Sequence, residues 1–207
     1  MTLADRLNTT THLLGVLFTL ALSWMLLIPA YTIGWRGALS VTLFVAGMLI
    51  MYSASTIYHW WSEGRVKRAL RILDHIGIYI MIAASYSPIC LCAVGGWLGW
   101  LVFALLWTTV VAGACYKLCF IGRWPALSLG IYLAMGWSGV LIAVPVIQSL
   151  PLSALLCILA EGLFYTAGTY FYAHDSRPYY HAIWHLFVLA GSLSHWLAIH
   201  LMMQSLA

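Results

Sequence analysis

Charge is what this sequence has least of. Lys and Arg number 9 and Asp and Glu 5 among 207 residues, 7% in all, where a soluble domain carries about 25%. So few charged groups cannot cover a surface against water, which excludes an ordinary soluble domain. Basic runs long enough to make a face are also missing. The net charge of +4 is scattered over short breaks between apolar stretches, so nucleic acid is excluded as a partner. No alternating ten-residue pattern occurs, and open sheet edges cannot face lipid, so a membrane β-barrel is excluded too. Close cysteine pairs in polar loops are lacking. Cys90, Cys92, Cys115, Cys119 and Cys157 lie in or beside apolar segments and read as small packing residues.

What the chain does have is long apolar segments. Hydrophobic residues make up 64% of it, and a spanning helix needs about 20 in a row. Seven segments qualify: 12–33, 37–60, 72–93, 97–116, 124–147, 151–172 and 179–203. Arg36-Gly37, Glu63 to Arg68, Gly95-Gly96, Lys117 to Trp124, Pro151 and Asp175 to Pro178 separate them. The expectation is an all-α membrane protein, a seven-transmembrane helix bundle forming one domain over 1–207, in the cell (inner) membrane. The first apolar stretch is long enough to span and follows Asp5 and Arg6, so it is expected to stay in the mature protein rather than be cleaved.

The basic residues orient the bundle. With the N-terminus cytoplasmic, Arg6, Arg65, Lys67, Arg68, Arg71, Lys117, Arg123 and Arg177 fall on the cytoplasmic side and only Arg36 outside. The excess of Lys and Arg on cytoplasmic loops therefore selects a cytoplasmic N-terminus and an extracytoplasmic C-terminus. Trp60, Trp61, Trp97, Trp100 and Trp124 sit near segment ends, where amphipathic rings form interfacial belts.

Polar side chains inside such a bundle are costly and mark candidate sites. In this topology Asn8 and His12, Ser55 and His59, Asp74 and His75, and His181 and His185 all fall near the cytoplasmic leaflet, although they span most of the sequence. Ser55 and His59 share a helix face, and so do His181 and His185, each pair being four residues apart. Two histidines so spaced can aim at one ion. A third from a neighbouring helix completes three neutral nitrogens with one open position, the arrangement of a catalytic zinc. Each histidine alone reads more readily as a hydrogen-bonded core or interface residue than as a ligand. His174 falls in a loop, and His195 and His200 are too far along the last helix to join His185 on one ion.

Four segments resemble the hemolysin III family, bacterial relatives of the progestin and adipoQ receptors that are in turn similar to alkaline ceramidases. They are Asn8-Thr9-Thr10-Thr11-His12, Ser55-Thr56-Ile57-Tyr58-His59, Leu73-Asp74-His75-Ile76-Gly77-Ile78-Tyr79 with Ser85-Tyr86-Ser87-Pro88, and His181-Ala182-Ile183-Trp184-His185 with Gly191-Ser192-Leu193-Ser194-His195. Tyr132 to Trp137 fits as well. The resemblance implies zinc as cofactor, held by His59, His181 and His185, with Asp74 and Ser55 as catalytic groups. The implied partner is a membrane lipid or acyl-lipid substrate, an amide by analogy with ceramidases, and the implied role lies in membrane lipid homeostasis. A non-enzymatic membrane receptor or regulator with a structural zinc is the second expectation, and a pore former the third. Asn8, His12, His75 and Glu161 are expected to support the site or touch lipid. Glu161 stands where the family usually has a glycine, before Tyr165-Thr166-Ala167-Gly168. It is expected either to face a lipid cavity or to bond a neighbouring helix as a protonated carboxyl.

Overall fold

A computed structural model describes residues 2–206. Helices dominate, and no strand occurs among the described residues. In chain order they are α1 (Leu3–Leu22), α2 (Trp24–Ile33), α3 (Trp35–Trp60), α4 (Arg65–Pro88), α5 (Gly96–Phe120), α6 (Pro125–Trp137), α7 (Ala143–Ser149), α8 (Leu152–Ala173) and α9 (Tyr180–Leu206). A π-helical stretch, Ile89–Val94, extends α4, and a 3-10 stretch, Ser138–Ile142, joins α6 to α7. Six of the resulting segments are long and apolar enough to cross a membrane, and the pair α1–α2 makes a seventh span. The protein is an all-α seven-span bundle. The C-terminal residue, Ala207, lies outside the described residues.

Three of the seven spans are bent or interrupted, and proline accounts for the breaks. The first span starts at Leu3 rather than residue 12 and bends by 45° between α1 and α2. Pro29, inside α2, has no N–H to offer the Met25 carbonyl and crowds it, so the helix gives way just upstream. Pro145 acts on the Leu141 carbonyl in the same way, and Leu141 lies in the 3-10 stretch. Pro88 is followed at once by the π-helical turn, where the Gly95 N–H bonds the Cys90 carbonyl at 2.9 Å.

Burial sorts the spans. Half of the apolar window of α3 and of α9 is buried, against 11% of that of α8. Helices α3, α4 and α9 therefore form the inside, and Phe44, Met48, Tyr52, Tyr79, Ile199, Met202 and Met203 are fully buried there. Many large apolar side chains are exposed, among them Leu20, Ile28, Val111, Leu152 and Leu163. On a water-facing surface they would form oversized patches; here they are the lipid face. Helix α1 lies close against α3 because Gly15 has no Cβ, which would collide with the Tyr52 ring. That contact carries Asn8 and His12 inward to the ends of α3 and α9.

Candidate metal centre

His59 occupies the penultimate position of α3, and His181 and His185 lie in the first turns of α9. One ring nitrogen of each lies within 4.8 Å of those of the other two. The ring centroids are 5.0 Å apart for His59–His181, 5.1 Å for His59–His185 and 4.6 Å for His181–His185. Two elements distant in sequence thus bring three imidazoles to one point near a membrane face.

Hydrogen bonding says which nitrogen is free. His185 Nδ1 lies 3.2 Å from the Asn8 carbonyl oxygen and 3.1 Å from Thr11 Oγ1. A carbonyl only accepts, so Nδ1 carries the hydrogen and Nε2 keeps its lone pair. His181 Nδ1 lies 3.8 Å from Asp175 Oδ2, which favours the same tautomer. His59 Nε2 is buried without any partner, and its Nδ1 lies 3.5 Å from the Asn8 side-chain amide. Turning that amide over lets Asn8 Oδ1, itself unpartnered, accept from Nδ1–H. An orphaned nitrogen inside a triad of neutral imidazoles fits a bound metal ion.

The other expected residues distribute unevenly. Asn8 supports two of the histidines at once, and His12 stacks on His185 with centroids 3.6 Å apart. Neither His12 nitrogen has a partner. Ser55 is buried one turn before His59, its hydroxyl unbonded. Asp74 is half-buried beside Ser55 and Arg71. It is not one of the convergent group. His75 faces elsewhere, and its carbonyl accepts from the Tyr132 hydroxyl at 3.1 Å. Thr11 and Asp175 are supporting groups that the histidine spacing did not reveal. Thr11 lies inside the first motif, but Asp175 sits in a loop with no pattern to betray it.

Of the two expectations for Glu161, the bond to a neighbouring helix is the one seen. Its Oε2 lies 2.6 Å from His195 Nδ1, and His195 Nε2 lies 2.9 Å from the Ser85 carbonyl oxygen. His195 is ten residues beyond His185, roughly 15 Å along α9, so this pair is a separate centre deeper in the bundle. Because the Ser85 carbonyl can only accept, Nε2 carries a hydrogen. One further proton is then shared between Nδ1 and the carboxyl, and the pair is neutral whichever atom holds it. Glu161→Gln keeps a neutral hydrogen bond, since the amide N–H donates to Nδ1. It is expected to cost under about 1 kcal/mol, whereas Glu161→Leu strands the His195 nitrogen at about 1–3 kcal/mol. Thermal unfolding in detergent reads both, and equal losses would show that the hydrogen bond contributes nothing.

A seven-span helical bundle with a three-histidine cluster, two of its members buried, at one membrane face defines a class of polytopic membrane protein with a candidate metal centre. Within that class the chain belongs to the Haemolysin-III related family, whose model matches residues 2–196. It is 36% identical over 187 residues to the Hemolysin-3 homolog of Bacillus subtilis (strain 168), covering 89% of this chain and 87% of that one. It is 34% identical over 186 residues to Hemolysin-3 of Bacillus cereus, covering 89% and 85%. The human Monocyte to macrophage differentiation factor is 30% identical over 159 residues, 74% of this chain and 66% of its own. No solved structure matches. Family and apolar helices together make this a multi-pass membrane protein, and the bacterial relatives point to the cell membrane.

Proposed function

We propose that the protein is a zinc-dependent hydrolase of a lipid amide or ester, working at the cytoplasmic leaflet. The observation that carries this is the convergence of His59, His181 and His185 within 4.8 Å, with Ser55 and Asp74 on the adjoining turns of α3 and α4. Three neutral nitrogens suit a zinc that keeps an open position, and such an ion supplies Lewis acidity and makes water acidic near neutral pH. The chain's own residues do the rest. Asp74 accepts the proton of the attacking water. Ser55, whose hydroxyl is free, donates a hydrogen bond to the oxyanion that forms at the lipid carbonyl. The bond from water oxygen to carbonyl carbon forms, the bond to the leaving amine or alcohol breaks, and the proton held by Asp74 passes to the leaving group. Asn8 and Thr11 hold the His185 imidazole in the required tautomer.

Mass spectrometry of copurifying lipids tests this reading. Wild type is expected to carry free fatty acid, and the Asp74→Asn variant an intact acyl-lipid. Identical lipids in both would remove the enzyme. A regulator with a structural zinc is then the better account, and the tie that the cluster makes between α1, α3 and α9 supports that second reading. A pore is disfavoured because Phe44, Met48, Tyr52 and Tyr79 fill the inside of the bundle.

The same proposal sets the N-terminus in the cytoplasm, on the distribution of Lys and Arg. A reporter fused after the C-terminus is expected to work only where extracytoplasmic reporters work. Activity of a cytoplasm-only reporter there would reverse the orientation and place the histidines at the outer leaflet.

A further inference from the structure

Lys117, in the last turn of α5, is buried to 3% exposure, and its Nζ donates to Ser128 Oγ at 2.6 Å. An ammonium has three hydrogens to donate, and this one has no carboxylate within 4.0 Å among the described residues. The ring faces of Tyr116, at 5.3 Å, and Tyr132, at 5.8 Å, also lie near it. A buried cation without a counter-charge is strongly disfavoured, which is why buried charges are found paired.

The surroundings raise the positive potential instead of relieving it. Arg71 lies near Lys117, and His75 lies near both. The nearest acid on α4, Asp74, is turned toward Ser55 on α3. Unpartnered polar atoms gather here as well. His75 Nδ1 and the hydroxyl of the fully buried Tyr79 have no hydrogen-bond partner. The phenol end of Tyr79 reaches this level because Gly113, one turn before Lys117 on the same face of α5, has no Cβ to block it. Its ring packs on Tyr132 with centroids 4.6 Å apart. A cation with donors to spare, an unbonded phenol and an unbonded imidazole nitrogen, with an arginine nearby, are the parts of an oxyanion site. Its place between three helices at the cytoplasmic end of the bundle is where basic pockets receive lipid head groups.

We propose that Lys117, Tyr79, His75 and Arg71 form a binding site for a phosphate group, carried by an anionic phospholipid or free in the cytoplasm. The site is distinct from the three histidines and does not rest on the hydrolase reading.

The test uses the full-length protein, stripped of lipid in detergent and then offered phosphatidylglycerol, phosphatidylcholine or inorganic phosphate, with native mass spectrometry and the unfolding temperature as readouts. Wild type is expected to retain phosphatidylglycerol, to be stabilised by it and to ignore phosphatidylcholine. Lys117→Met is expected to weaken retention about tenfold or more, the worth of a charge-assisted hydrogen bond. Lys117→Arg is expected to keep it, and the exposed variant Arg65→Gln to match wild type. Tyr79→Phe guards against misfolding. It removes a hydroxyl with no partner, so the free protein should be as stable as wild type while binding more weakly. Stabilisation by inorganic phosphate that depends on Lys117 would identify free phosphate as the ligand. Equal binding by wild type, Lys117→Met and Tyr79→Phe would overturn the site, as would equal retention of both phospholipids.

Discussion

Replacing both His181 and His185 by alanine is expected to leave the protein without bound zinc. Wild type should hold about one zinc per chain, since a three-imidazole set serves a single ion. Each single variant, His59→Ala included, should lower the content sharply, because two nitrogens alone form a weak site. His195→Ala and His200→Ala should retain the metal, the first because His195 is engaged by Glu161 and Ser85, the second because it bonds Gln204 and stacks on Trp196. Asn8→Ala is a finer probe. Its backbone bond to His185 survives, but the side chain that steadies His59 is lost. A loss of such support costs about 10- to 100-fold in affinity. Retention should also fall in acid, since protons compete for neutral imidazole. Elemental analysis of purified protein reads all of these, and full zinc in the double variant would end the assignment.

The histidine cluster was legible because two physical signals coincide in the sequence. Four-residue spacing places His181 over His185, and the alternation of apolar spans returns His59 to the same membrane face. The family resemblance added Ser55 and Asp74, which spacing alone does not tie to a metal. Span count follows from hydropathy, whereas the inner position of α3, α4 and α9 appears only in the packed bundle. The broken spans were not legible at the same level, because a hydropathy run is blind to its own backbone. Pro29 and Pro145 hold the information, but the site of a bend depends on what packs against the freed carbonyl. Glu161 shows the other limit. Its departure from the family's glycine was visible, yet its partner lies 34 residues away on α9, and no periodicity connects two helices. Lys117 reads in sequence as one more cytoplasmic basic residue; only the close approach of α4 and α6 makes it a buried one.

Asp74→Asn is the substitution that separates a hydrolase from a protein that merely holds a metal. Asp74 is not in the convergent set, so its removal should leave the ion in place. It stands beside Ser55, which lies one turn before His59 on α3. Asparagine has nearly the same shape, so the fold should survive. What it cannot do is take a proton. Loss of a positioned general base costs about 10²- to 10⁴-fold in turnover. The expected result is therefore a variant with a wild-type unfolding temperature and nearly full zinc, whose hydrolysis of an acyl-lipid falls by that factor. Ser55→Ala should show a smaller loss, since it removes one hydrogen bond to the oxyanion and leaves proton transfer intact. Zinc lost together with activity in Asp74→Asn would make the carboxylate a support of the metal and not the base. Equal rates in wild type and Asp74→Asn would withdraw the catalytic role altogether. The cluster would then be a clasp between α1, α3 and α9, as the structural-zinc reading has it.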